Sequence, residues 1–174
     1  MIFTPSSDIF SFVLFQEKEE TMKAIYFDMD GTLANMFNYP DWLRLLHAED
    51  VRPYRDCEPI VNLGELVPIL EQLHNLGVHV GIISWLCKGS SISYAKATRQ
   101  AKIEWLQNHI HFEFDSIKIC RYGAPKHNYA MDDSILVDDS PLCLHAWNKG
   151  RTLDATTEWI DELRNIVTTL ANIR

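Results

Sequence analysis

Three short apolar runs, each closing on a polar residue, constrain this chain more than any other feature. Ala24-Ile25-Tyr26-Phe27 runs into Asp28, Val78 to Ile83 runs into Ser84, and Ile135-Leu136-Val137 runs into Asp138-Asp139. A continuous apolar run of this length marks a strand covered on both faces, the condition of a parallel sheet. Between the runs the period changes. Leu66, Ile69, Leu70 and Leu73 form a helical stripe that Gly77 ends, and Ala97, Ala101, Trp105 and Leu106 form another between Tyr94 and His109. Ile117 to Cys120 predicts a further strand, and Leu142 to Lys149 a short helix. Arg151-Thr152-Leu153, after Gly150, predicts an edge strand, and Trp159 to Leu170 a closing amphipathic helix.

Strands alternating with helices predict an α/β fold, a Rossmann-like parallel sheet with helices on both faces. Chemistry in such folds sits beyond the carboxyl ends of the strands. Residues 22–174 show no repeat, low-complexity tract or linker and are expected to form one domain. Residues 1–21 are expected to be a dispensable extension. Their apolar stretch, Ile9 to Phe15, has nothing basic before it and Glu17-Lys18-Glu19-Glu20 after it. A signal peptide wants the opposite flanks, and a membrane span needs roughly 20 apolar residues.

The four cysteines (Cys57, Cys87, Cys120, Cys143) are far apart and form no C-x-x-C pair, so the expected compartment is the reducing cytoplasm. A net charge of -8, with no run of Lys or Arg, speaks against a nucleic-acid polymer as partner. No membrane partner is expected either, and the sequence leaves the oligomeric state open.

The strand ends carry the chemistry. Asp28, Asp30, Asp138 and Asp139 are expected to converge on one crevice. Crowded carboxylates repel one another unless a cation sits among them, and ligation by oxygen alone suits Mg²⁺. Gly31 lets the chain turn sharply after Asp30, so that both aspartates can face the same site. Other readings fail on spacing. A hand-type calcium loop opening at Asp28 would need Gly and Glu where Leu33 and Tyr39 stand. No cysteine has the arginine a thiol phosphatase requires six positions on, and Lys88-Gly89-Ser90-Ser91 lacks the order of a phosphate-binding loop.

Asp28-Met29-Asp30-Gly31-Thr32-Leu33, following an apolar strand, resembles the first motif of the haloacid dehalogenase superfamily. Ser84 resembles its second motif, Lys126 in Gly123-Ala124-Pro125-Lys126 its third, and Asp138-Asp139 its fourth. The resemblance runs in order from about Met22 to the C-terminus. It points to the phosphatase branch with a very short cap, 5′-nucleotidases among them. It implies Asp28 as the nucleophile forming an aspartyl-phosphate and Asp30 as acid and then base. Ser84 would hydrogen-bond the phosphoryl group, and Lys126 would neutralise charge on nucleophile and phosphate. Asp28, the Asp30 carbonyl, Asp138 and Asp139 would hold Mg²⁺. Dehalogenases of the superfamily lack the second aspartate, so Asp30 argues for phosphate chemistry.

The interval 35–62 interrupts the strand–helix rhythm with one predicted helix over Asp41 to His47. In the superfamily a substrate-selecting cap is often inserted here. Trp42, Tyr54, Tyr39 and the arginines Arg52 and Arg55 are expected to overhang the crevice as a small flap; the competing reading is a structural loop. Thr32 and Trp85 complete the residues expected near substrate. His109, His111, Asp132 and Asp133 read as surface residues, and Trp105, Trp147 and Trp159 as core. The expected function is Mg²⁺-dependent cleavage of a small phosphomonoester such as a nucleotide. The alternatives are a phosphatase acting on a protein or polymer end, and a Mg²⁺-binding module of the same fold without turnover.

Overall fold

Successive side chains of a strand point to opposite faces, so a segment as apolar as Ala24-Ile25-Tyr26-Phe27 needs cover on both. The computed structural model describes residues 22–173, and the expectation for residues 1–21 lies outside the described residues. In it β1 (Ala24–Phe27) is buried along its whole length, at the centre of a five-stranded sheet of order β3-β2-β1-β4-β5. The other strands are β2 (His79–Trp85), β3 (Ser116–Cys120), β4 (Ser134–Asp138) and β5 (Gly150–Asp154). All four pairings are parallel. β2 runs beyond the pattern that predicted it, because Ser84 and Trp85 pair with Ile119 and Cys120 of β3.

The connecting helices α3 (Leu63–Asn75), α4 (Ile92–His109) and α6 (Trp159–Ile173) cover one face. There Phe27, Val80, Ile82 and Val137 pack with Leu66, Leu70, Trp105, Trp159 and Leu163. On the other face Tyr26, Ile83 and Leu136 pack with Trp147 and with Cys143 of the short α5 (Pro141–Ala146). No helix among the described residues is long and apolar enough to cross a membrane.

The strand order reverses at β1. From it the chain winds outward through β2 to β3, then returns to β4 on the other side and continues to β5. Adjacent loops leave such a reversal in opposite directions and open a crevice at the carboxyl ends of the two central strands. Asp28 follows β1, and Asp138 closes β4.

The interval 35–62 holds a 3-10 turn at Met36–Asn38 and two short α-helices, α1 (Trp42–His47) and α2 (Arg52–Arg55), where the sequence pattern predicts one helix. Its ends are tied together, with Asn35 N donating to Glu58 O and Ile60 N donating to Leu33 O, both at 2.8 Å. It is also clasped to α4. Glu49 accepts from the amide and hydroxyl of Ser91, at 2.8 and 2.6 Å, at the start of that helix. Near its other end the Trp105 indole N–H donates to Cys57 O at 2.6 Å.

Candidate active site

The ladder between β1 and β4 extends one step past β1, with Asp28 N donating to Val137 O at 2.9 Å. That bond fixes the Asp28 backbone beside the end of β4. Lys126 opens a short 3-10 helix, Lys126–Tyr129, between β3 and β4, and its ammonium lies 2.6 Å from both Asp28 Oδ1 and Asp138 Oδ2. All three groups are buried. The other oxygen of Asp138 accepts from Ser140 N at 2.9 Å. The Trp85 ring underlies the Lys126 ammonium at 5.3 Å, and its indole N–H donates to Ala124 O at 2.8 Å, pinning the loop that carries the lysine.

Asp28, Asp138 and Asp139 each offer one carboxylate oxygen, all within 4.8 Å of one another. Gly31 makes room for this approach. Its φ is +83°, and a Cβ there would run into the Asp139 carboxylate. Burial is the main cause that raises Asp138, with Asp28 adding to it. Burial together with Asp28 and Asp138 pushes Asp139 up to about 7. Burial opposes the charge on Lys126, yet Asp28 and Asp138 outweigh it and hold the ammonium above its ordinary value. Three hard oxygen donors short of positive charge are a donor set that could hold a metal ion.

Asp30 meets a second buried cation that the sequence reading missed. Lys102, on α4, is fully buried, and its ammonium lies 2.6 Å from Asp30 Oδ2, 2.9 Å from Ser84 Oγ and 2.8 Å from Trp85 O. Burial raises the Asp30 carboxyl above its ordinary value, and Lys102 opposes that rise. A signal for Lys102 existed. The buried face of α4 is Tyr94, Thr98, Ala101, Lys102, Trp105 and Leu106, so the lysine stands in the middle of the inward stripe. Ala97, assigned to that stripe from sequence, is exposed.

Asp28, Asp30, Asp138, Asp139 and Lys126 line one crevice of about 780 Å³, within the range of small-molecule sites. Trp85 lines it too, with Tyr122 tilted against it at 5.2 Å. Trp42 and Phe37 form a second aromatic pair in its wall, edge to face at 5.2 Å. Ser84 is fully buried beneath, its hydroxyl held by Lys102.

The remaining residues expected near substrate are placed differently from one another. Thr32 is buried, its hydroxyl has no hydrogen-bond partner among the described residues, and it borders a separate depression beside Trp159. Arg52 and Arg55 are turned to Asp50 and Asp56, at 2.6 and 2.7 Å, and are not in the crevice wall. Tyr39 packs against the core. Tyr54 reaches the crevice but is only 3% exposed, its ring lying 5.1 Å from the Lys102 ammonium. Asp132 and Asp133 form exposed ion pairs with Lys149 and Lys23, while Trp105, Trp147 and Trp159 are buried. No protein-family model matches the chain, and no curated protein matches it.

Proposed function

We propose that this chain is a Mg²⁺-dependent phosphomonoester hydrolase working through an aspartyl-phosphate on Asp28, as the resemblance to haloacid dehalogenase-type phosphatases implies. The observation that carries the reading is the charge balance of the crevice. Two buried ammonium groups, Lys102 and Lys126, face four carboxylates, Asp28, Asp30, Asp138 and Asp139. The deficit suits a divalent cation, and phosphoryl transfer asks mainly for positioning and for positive charge around the transferred group. A bound Mg²⁺ would supply that charge against the phosphoryl oxygens, held by Asp28, Asp138 and Asp139.

In this reading an Asp28 oxygen attacks phosphorus while the bond to the leaving oxygen breaks, and Asp30 gives that oxygen its proton. Water then attacks the phospho-Asp28, Asp30 takes the water's proton, and phosphate leaves. Lys126 steadies the charge on Asp28, and hydrogen bonds to both Asp138 oxygens, from Lys126 and from Ser140 N, fix the orientation of that carboxylate. The aromatic walls, Trp42 with Phe37 and Trp85 with Tyr122, suit a small substrate with a flat group such as a nucleotide.

The test is hydrolysis of p-nitrophenyl phosphate by the full chain, with Mg²⁺ and with excess chelator. Turnover is expected with the metal only, and Asp28→Asn is expected to abolish it. Equal rates with chelator, or an active Asp28→Asn, would overturn the reading.

A further inference from the structure

We propose that Lys102 is a positioning residue for proton transfer, holding the Asp30 carboxyl in one orientation beneath the lid formed by Tyr54. The inference rests on the phosphatase reading and deepens it. An ammonium group has three donors, and at Lys102 all three are taken, by Asp30 Oδ2, Ser84 Oγ and the Trp85 carbonyl. Bonds in three directions from a side chain with no exposure leave it little freedom. Asp30 lines the crevice and keeps 18% of its side chain exposed there. The oxygen that Lys102 does not hold is thus the one left to meet a leaving group or a water.

The buried pair also needs an explanation that stability does not supply. Taking a lysine and an aspartate out of water costs about as much as their attraction returns, and well-packed apolar residues often serve as well. A positional role accounts for the cost. The inserted segment contributes to it, because the Tyr54 ring over the ammonium and the α2–α4 packing behind it keep water from Lys102.

Leaving-group dependence separates this role from a merely structural one. Protonation of the leaving oxygen matters little for a nitrophenolate and greatly for an alcohol. kcat/KM reports the steps up to release of that group. p-Nitrophenyl phosphate and benzyl phosphate are similar in shape and differ in this respect. In the full chain with Mg²⁺, Lys102→Met is expected to lower kcat/KM for benzyl phosphate at least about thirtyfold more than for p-nitrophenyl phosphate, a large share of what a positioned acid supplies. Equal losses on the two substrates, or no loss, would overturn the positioning role and leave the phosphatase reading standing. A wild-type chain that hydrolyses neither would overturn both.

Removing one partner of a buried pair can prevent folding, so the second variant removes both. Lys102→Met combined with Asp30→Asn leaves no uncompensated charge in the pair. A residue acting through Asp30 has nothing further to lose once Asp30 is disabled. The double variant is therefore expected to match Asp30→Asn on benzyl phosphate within about threefold, well under one order of magnitude. A further tenfold fall would mean that Lys102 acts by another route, and would sink the proposal.

Discussion

Lys126 shows how tightly the candidate site is balanced at the scale of a single residue. Its ammonium is the shared partner of Asp28 and Asp138, and all three are out of water. Lys126→Ala would leave both carboxylates buried without it. Breaking a buried pair in this way costs about 3–5 kcal/mol, so urea unfolding of the metal-free protein should show a loss of that size. A loss below about 1 kcal/mol, the range of an exposed pair, would mean that the three groups are not mutually buried in solution. The carboxylates also set the response to pH. Asp30, Asp138 and Asp139 are all raised, Asp139 to about 7. A group whose folded value lies above its unfolded one stabilises the fold at low pH and loses that effect as pH climbs through the folded value. The metal-free melting temperature should therefore fall as pH rises from about 5 to about 8, above the ordinary carboxylate value near 4. Saturating Mg²⁺ should remove the fall. Asp50, drawn down to about 2 by the Arg52 hydrogen bond, changes its charge below that window. A melting temperature that rises with pH in the absence of metal would contradict the arrangement.

The inserted segment divides its work along its own length. Met36, Leu45, Tyr54 and Cys57 are buried, whereas Phe37 and Leu43 remain exposed in the crevice wall. Trp42 belongs to the wall with Phe37, and Tyr54 belongs to the packing around Lys102. The two aromatics should therefore fail differently. Tyr54→Ala removes a large ring from a packed position and should lower stability by about 3 kcal/mol in denaturant titrations, as aromatic-to-alanine core changes do. Trp42→Ala, at a ring only partly buried against the core, should cost less stability than Tyr54→Ala. Its cost should fall on kcat/KM for a nucleoside monophosphate, by at least about tenfold, with little change for a generic phosphoester that has no distal ring to place. Equal losses of activity on both substrates would make this part of the segment structural as well.

Across the whole molecule, protection follows position in the sheet. β1 and β4 are buried throughout and paired on both sides, whereas β3 and β5 are edge strands with exposed positions. Hydrogen exchange should be slowest in β1 and β4 and faster in β3 and β5, because local opening spares the parts with most burial. Asp28 and Asp138 stand at the ends of these two strands, so their carboxylates should rest on the best-protected backbone. Edge strands that exchanged as slowly as β1 would show that the sheet opens only as a unit.

The apolar runs by themselves determined the strands and their parallel arrangement, because a strand covered on both faces has to be apolar along its length. The same local pattern located Asp28 and Asp138 at strand ends, and the sheet needed only its order to bring them together. What the chain order could not settle was contact between distant side chains. Lys102 and Asp30 are 72 positions apart, and the lysine's partners emerge only when α4 docks on the sheet. The expectation of one helix in 35–62 missed α2, since Arg52-Pro53-Tyr54-Arg55 is too short to show a period and is held by packing against α4. Composition likewise marks Thr32, Arg52, Arg55 and Tyr54 as equally fit to meet a substrate. Only the fold buried the threonine beside Trp159, turned the arginines to neighbouring aspartates and laid the tyrosine over Lys102. Residue type limits what a side chain can do, while the direction it points and the water it loses depend on elements far away in sequence.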